Sequence, residues 1–201
     1  MNTYTILPKK ETLSWDEVPE LAITNNCGTE DSGVKCYAKI CYDEHALYVR
    51  LRSVEKFIRA ENPKDAPYER QPCEDSCLEF FFCPRKGDRR YFNIEMNPNC
   101  LMYLGIGTGI DTLSRIYPNK DWFHPEAERT PDGWRVTYEV PYEFVRFFFP
   151  EFSPKSGDDM LANCYKCGDF TKIPHFLSWN PLPEGSTEFH NASHFGIMHF
   201  V

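Results

Sequence analysis

Residues 77–83 read CLEFFFC and residues 91–97 read YFNIEMN, joined by the turn-forming stretch PRKGDRR. The second run alternates with period two. Phe92, Ile94 and Met96 fall on one face of a strand, and Asn93, Glu95 and Asn97 on the other. The first is a short, nearly continuous apolar run with one carboxylate inside it, and reads as a strong strand. Two such strands around a polar turn make a hairpin, and the rest of the chain is read outward from it.

On the N-terminal side, residues 34–42 (VKCYAKICY) and 46–52 (ALYVRLR) flank Asp43-Glu44-His45, a second hairpin signal. On the C-terminal side the turn Thr130-Pro131-Asp132-Gly133 precedes another strand, WRVTYEV at 134–140. Residues 101–105 and 122–129 read as weaker strands, and 161–166, 175–179 and 195–200 complete the set. Residues 141–149 (PYEFVRFFF) read as one short helix, opened by proline and stopped before Pro150. Short strands every 8–12 residues, with no β-α-β rhythm, predict an all-β fold, a two-sheet antiparallel β-sandwich with one short helix. Its 201 residues suit a single domain spanning 1–201. The Pro-rich stretch 60–74 reads as a surface loop.

A net charge of −8 without basic runs opposes binding to nucleic acid or to an anionic membrane surface. No apolar run reaches the roughly 20 residues of a membrane-spanning helix. Nine cysteines, several in strand-like runs, read as reduced and mostly buried thiols. With no signal-peptide pattern at the N-terminus, the expectation is a cytoplasmic protein. Oligomeric state is left open.

Most candidate chemistry has a plain structural reading. Cys164-Tyr165-Lys166-Cys167 resembles half a zinc site, but no second pair follows, and a buried strand cysteine plus a turn cysteine suffices. His190 and His194 lack the helix and the glutamate of a zinc-protease motif. No metal and no cofactor is expected. Gly105-Ile106-Gly107-Thr108-Gly109 is not followed by a helix and reads as a loop rather than a dinucleotide fingerprint. Trp15 reads as a core plug and Trp134 as a core residue. Trp122 and Trp179, beside prolines, suit either a lid on the core or a stacking ring.

The carboxylates carry more. A glutamate inside an apolar strand is costly unless partnered. Glu79 and Glu95 on adjacent strands would form a polar floor flanked by rings, suited to sugar hydroxyls and pyranose faces. The same pair could serve as acid and nucleophile of a glycosidase, or form ion pairs with Arg50, Arg52 or Lys166.

The order ALYVRLR, DSCLEFFF, YFNIEMN, GWRVTYEVP, NCYKCGD, SWNP and FHNASHFG resembles the family 9 carbohydrate-binding modules and their stand-alone bacterial relatives, from about Val34 to Val201. The resemblance implies a β-sandwich that binds mono- or oligosaccharides without catalysis, in a setting of carbohydrate catabolism. It implies ligand contacts from a glutamate, matched by Glu79, and from two tryptophans. Phe189 stands at the second tryptophan's place. Cys73 stands at the first's, where Tyr68 is a substitute from the same loop. The family's arginine has no clear counterpart in YFNIEMN. The expected ligand-binding set is Glu79, Glu95, Asn97, Trp122, Lys166, Trp179, Phe189 and His190, with a carbohydrate as the partner. A glycosidase or a protein-interaction module that has lost the sugar site are the alternatives.

Overall fold

The computed structural model describes residues 1–29, 31–117 and 119–201. In chain order the strands are β1 (Thr3–Pro8), β2 (Leu21–Ile23), β3 (Asn25–Asn26), β4 (Lys35–Tyr42), β5 (Ala46–Val54), β6 (Cys77–Cys83) and β7 (Tyr91–Met96). They continue with β8 (Met102–Gly107), β9 (Ser114–Arg115), β10 (Glu126–Thr130), β11 (Gly133–Pro141), β12 (Asp159–Gly168), β13 (His175–Ser178) and β14 (Gly196–Phe200). The α-helix α1 (Tyr142–Arg146) lies within the span expected to be helical, shortened because β11 runs on through Pro141. No helix among the described residues is long and apolar enough to cross a membrane.

The strands form the expected two-layer all-β sandwich. One sheet runs β14-β12-β6-β7-β8-β9, with β13 also on β12 and β3 on β13. The other runs β10-β11-β5-β4, with β2 also on β4. Among the described strands, pairing is antiparallel except at β1. β1 runs parallel to β14 over Thr3–Ile6, then parallel to β4 over Leu7–Pro8, so it passes from one sheet to the other and joins them.

The alternating strands supply the core. Phe80, Phe82, Phe92 and Ile94 of the first sheet face Val49, Leu51, Trp134 and Val136 of the second, all without measurable exposure. Each of these rings contributes about 2–3 kcal/mol through burial. Trp134 is thus a core residue as its alternation implies. Trp15 is not a core plug: it is half-buried outside the second sheet, with the Arg50 guanidinium 4.4 Å from its ring.

CLEFFFC fails to alternate because the first sheet is covered on both sides. Its outer face carries a second apolar cluster, in which Cys77, Phe81, Tyr91 and Tyr165 lie beneath Phe189 and Phe195 of the segment before β14. β8 runs past the expected strand end at Gly105, so Gly107 lies in the strand rather than in the expected loop. A Cβ on Gly107 would stand 2.8 Å from the Leu113 Cα, so glycine lets the segment before β9 fold close over the strand.

Candidate functional site

The registers of β12, β6, β7 and β8 set out a grid of side chains on this outer face. Tyr165 pairs with Glu79, Glu79 with Glu95, and Glu95 with Tyr103, so four strands contribute one continuous row. The neighbouring row is Asn163, Phe81, Asn93, Gly105 and Arg115. Directly opposed residues on antiparallel strands lie about 4.5–5.5 Å apart at their Cα atoms, so the two carboxylates of the first row are immediate neighbours.

Both carboxylates are buried, Glu79 at 3% and Glu95 at 8% exposure. Burial raises the Glu95 carboxyl to about 7, against the lowering effect of a hydrogen bond from Asn93 and of the positive charge of Arg115. Glu79 is also raised above its ordinary value, first by burial and then by the charge of Glu95, and it shares a hydrogen bond with the Cys167 thiol. Near neutral pH the pair therefore holds at least one proton, offering both a donor and acceptors side by side. Asn93 Nδ2 donates to Glu95 Oε1 at 2.9 Å, while Asn93 Oδ1 is buried without a partner. An orphaned acceptor beside two carboxyls favours a ligand rich in hydroxyl groups.

The rim is aromatic and basic. Tyr68 and Tyr117 are exposed, with ring centroids 5.7 Å apart. The Arg115 guanidinium lies 5.2 Å from each of these rings and 4.8 Å from that of Tyr103, and its Nη1 donates to the Tyr68 carbonyl at 2.7 Å. On the other side His190 lies 5.1 Å from Phe81, with Nδ1 3.0 Å from the Tyr91 hydroxyl. Burial lowers His190 to about 4, so the ring is neutral at physiological pH.

Of the eight expected residues, Glu79, Glu95, Phe189 and His190 share this face, and four do not. Lys166 alternates with Tyr165 and so points between the sheets, where its Nζ lies 3.6 Å from Glu55. Trp179 is in the inter-sheet core, edge-on to Tyr4. Trp122 packs on Phe144 and Phe147 at the margin of that core. Asn97 lies just beyond the end of β7. It donates to the Asn62 carbonyl at 2.8 Å and to Asp75 at 2.9 Å, and accepts from the backbone amides of Asn99 and Leu101. Phe189 is buried with its ring stacked 4.1 Å from that of Tyr165, so that face is closed to a sugar. Cys73 is half-buried and hydrogen-bonds Asp169, while Tyr68 from the same loop supplies an exposed ring.

Asn93, Tyr103, Arg115 and Tyr117 are absent from the expected set. Alternation already groups Asn93 with Glu95. Arg115 lies in a two-residue strand whose placement depends on pairing with β8, which no local pattern announces. A cavity of about 640 Å³ elsewhere, lined by Glu55, Phe57, Ile173 and His175 among others, shares no lining residue with this face.

The Carbohydrate-binding family 9 model matches residues 9–200. None of the curated proteins matches the chain. Among solved structures, a Bacteroides uniformis protein provisionally described as carbohydrate-binding superposes with a TM-score of 0.79 at 21% identity, covering 99% of both chains. A family 9 module from Caldicellulosiruptor kristjanssonii solved with glucose superposes with a TM-score of 0.70 at 14% identity, covering 100% of this chain and 96% of the other. The same description, with cellotriose as ligand, gives 0.70 at 14% identity, covering 99% and 93%.

Proposed function

The chain belongs to carbohydrate-binding family 9, and from that premise we propose that it binds the end of a mono- or oligosaccharide, without catalysis, on the face built from Glu79, Glu95, Asn93 and Arg115. The observation that carries this reading is the row Tyr165–Glu79–Glu95–Tyr103, with the unpartnered Asn93 Oδ1 beside it. Sugar hydroxyls donate and accept at once, and a carboxyl pair holding a proton matches them in both senses. Tyr68 and Tyr117 offer exposed rings for a pyranose face, and Arg115 presents several donors between them.

Glucose and cello-oligosaccharides are the first ligands to test, because they are named for structural neighbours with this fold. The setting we propose is polysaccharide breakdown, with this chain holding a sugar that other proteins release.

Isothermal titration of a sugar panel against the wild type, Arg115→Ala and Glu95→Gln tests the site. One sugar class should bind the wild type, with affinity reduced at least about tenfold in each variant, which is 1.4 kcal/mol. Binding unchanged in both variants would move the site elsewhere, and turnover of the bound sugar would replace binding by hydrolysis.

A further inference from the structure

Beneath the same face lies a donor set of a different kind. Cys77 and Cys167 are directly opposed across β6 and β12, and Glu79 is two residues along from Cys77 on the same side of the strand. The two Sγ atoms and a Glu79 carboxylate oxygen all lie within 4.8 Å of one another, and all three residues are buried. From this geometry we infer that the chain has a binding site for a thiophilic divalent cation of the zinc class, with Cys77, Cys167 and Glu79 as its protein ligands.

Tetrahedral zinc holds sulfur at about 2.3 Å and carboxylate oxygen at about 2.0–2.2 Å, which places neighbouring donors roughly 3.5–4 Å apart. Three donors within 4.8 Å of each other need only small side-chain movements to reach that spacing. Two thiolates make the site soft and select zinc, cadmium or cobalt over magnesium or calcium. The ligands stand on two central strands rather than on a loop, so the site is assembled by the sheet itself. The pair suggested by Cys164-Tyr165-Lys166-Cys167 does not act together: Cys164 faces the inter-sheet core and Cys167 the outer cluster. The partner of Cys167 is Cys77, 90 residues away in sequence, as their numbers show.

A metal bound by thiolates displaces the thiol protons, so apparent affinity rises with pH. Both this site and the carbohydrate reading draw on Glu79, whereas the thiol pair of Cys77 and Cys167 belongs to the metal site alone.

Titration of the fully reduced protein with cobalt(II) tests the inference. The expected result is a one-to-one complex with a thiolate-to-metal charge-transfer absorption, lost on adding zinc. Affinity should fall at least 100-fold in Cys77→Ser and in Cys167→Ser, and stay unchanged in Cys41→Ser. X-ray absorption at the zinc edge of the wild type gives a reading that needs no variant to fold. It should show two sulfur ligands at about 2.3 Å. No charge-transfer band in the reduced wild type, or a zinc shell of oxygen and nitrogen alone, would overturn the site whether or not sugars bind.

Discussion

Lys166 reaches across the sandwich to Glu55, Nζ to carboxylate 3.6 Å, with both side chains almost wholly buried. Glu55 also accepts hydrogen bonds from the Trp134 indole and, at 3.0 Å, from the Ser76 hydroxyl, and Lys166 Nζ donates to the Cys167 carbonyl at 2.8 Å. Four elements thus meet at one carboxylate. Removing one member of a buried pair leaves the other charged and unpaired, at a cost of about 3–5 kcal/mol. Glu55→Ala should lower stability by at least that much in urea denaturation, because it strands Lys166, Trp134 and Ser76 together. A loss below about 1 kcal/mol would mean that water already reaches this pair.

The pH dependence of stability follows from Glu95. Its carboxyl rises from an ordinary 4.5 to about 7 on folding, so the folded chain holds a proton that the unfolded chain releases. The stabilisation is complete below about pH 4.5 and is lost as pH rises toward 7. His190, lowered from 6.5 to about 4, acts with the opposite sign: its contribution is present above 6.5 and is lost as pH falls through 4. The wild type alone therefore mixes two trends. The difference in melting temperature between the wild type and Glu95→Gln isolates the first, and should move in favour of the variant between pH 5 and pH 7.5. A difference independent of pH would show that Glu95 is ionised throughout.

Gly133 begins β11 opposite Val54, and a Cβ there would stand 1.9 Å from the Ser53 carbonyl oxygen. Backbone cannot yield as a flexible side chain can, so Gly133→Ala should cost at least about 3 kcal/mol. Gly33 has a left-handed φ of +70° but nothing within 4 Å of an added Cβ, so Gly33→Ala should cost only about 1–2 kcal/mol. Equal losses in parallel denaturation curves would remove the steric explanation.

Phe81 belongs to the outer cluster, stacked on Tyr91 at 5.5 Å and edge-on to Tyr165 at 5.0 Å. Phe81→Ala should cost about 3–5 kcal/mol and also weaken sugar binding, since the ring lies between Asn163 and Asn93 in the second row of the face. A large stability loss with unchanged affinity would separate the cluster from the site.

Strands with strong alternation or dense apolar runs were legible in the sequence: β4 to β7, β11, β12 and β14 follow closely from composition and period. The short β2, β3 and β9 carry no such signal, because two or three residues cannot establish a period and their pairing depends on strands distant in sequence. β1 does alternate, with Tyr4 and Ile6 buried, but in only six residues. For the site, position along a strand was readable and position across strands was not. The grouping of Glu95 with Asn93 needs only β7. The separation of Lys166 from Glu79 needs the register between β12 and β6, which sets Tyr165 against Glu79 and turns Lys166 inward. Trp179 resembles a stacking ring by its neighbours Asn180 and Pro181. Its burial against Tyr4 depends on a strand at the other end of the chain.

That strand orders events during synthesis. Residues 3–6 emerge long before their hydrogen-bonding partners, residues 197–200. Until those partners are made, this segment is held by the short pairing of Leu7–Pro8 with Cys41–Tyr42 and by the hydrogen bonds of the Tyr4 hydroxyl with Pro19 and Ile40. Closing a loop of almost the whole chain is among the slowest contacts to form. The two sheets can each begin to pair as they emerge, but the seam between them is sewn only once residues 197–200 are made.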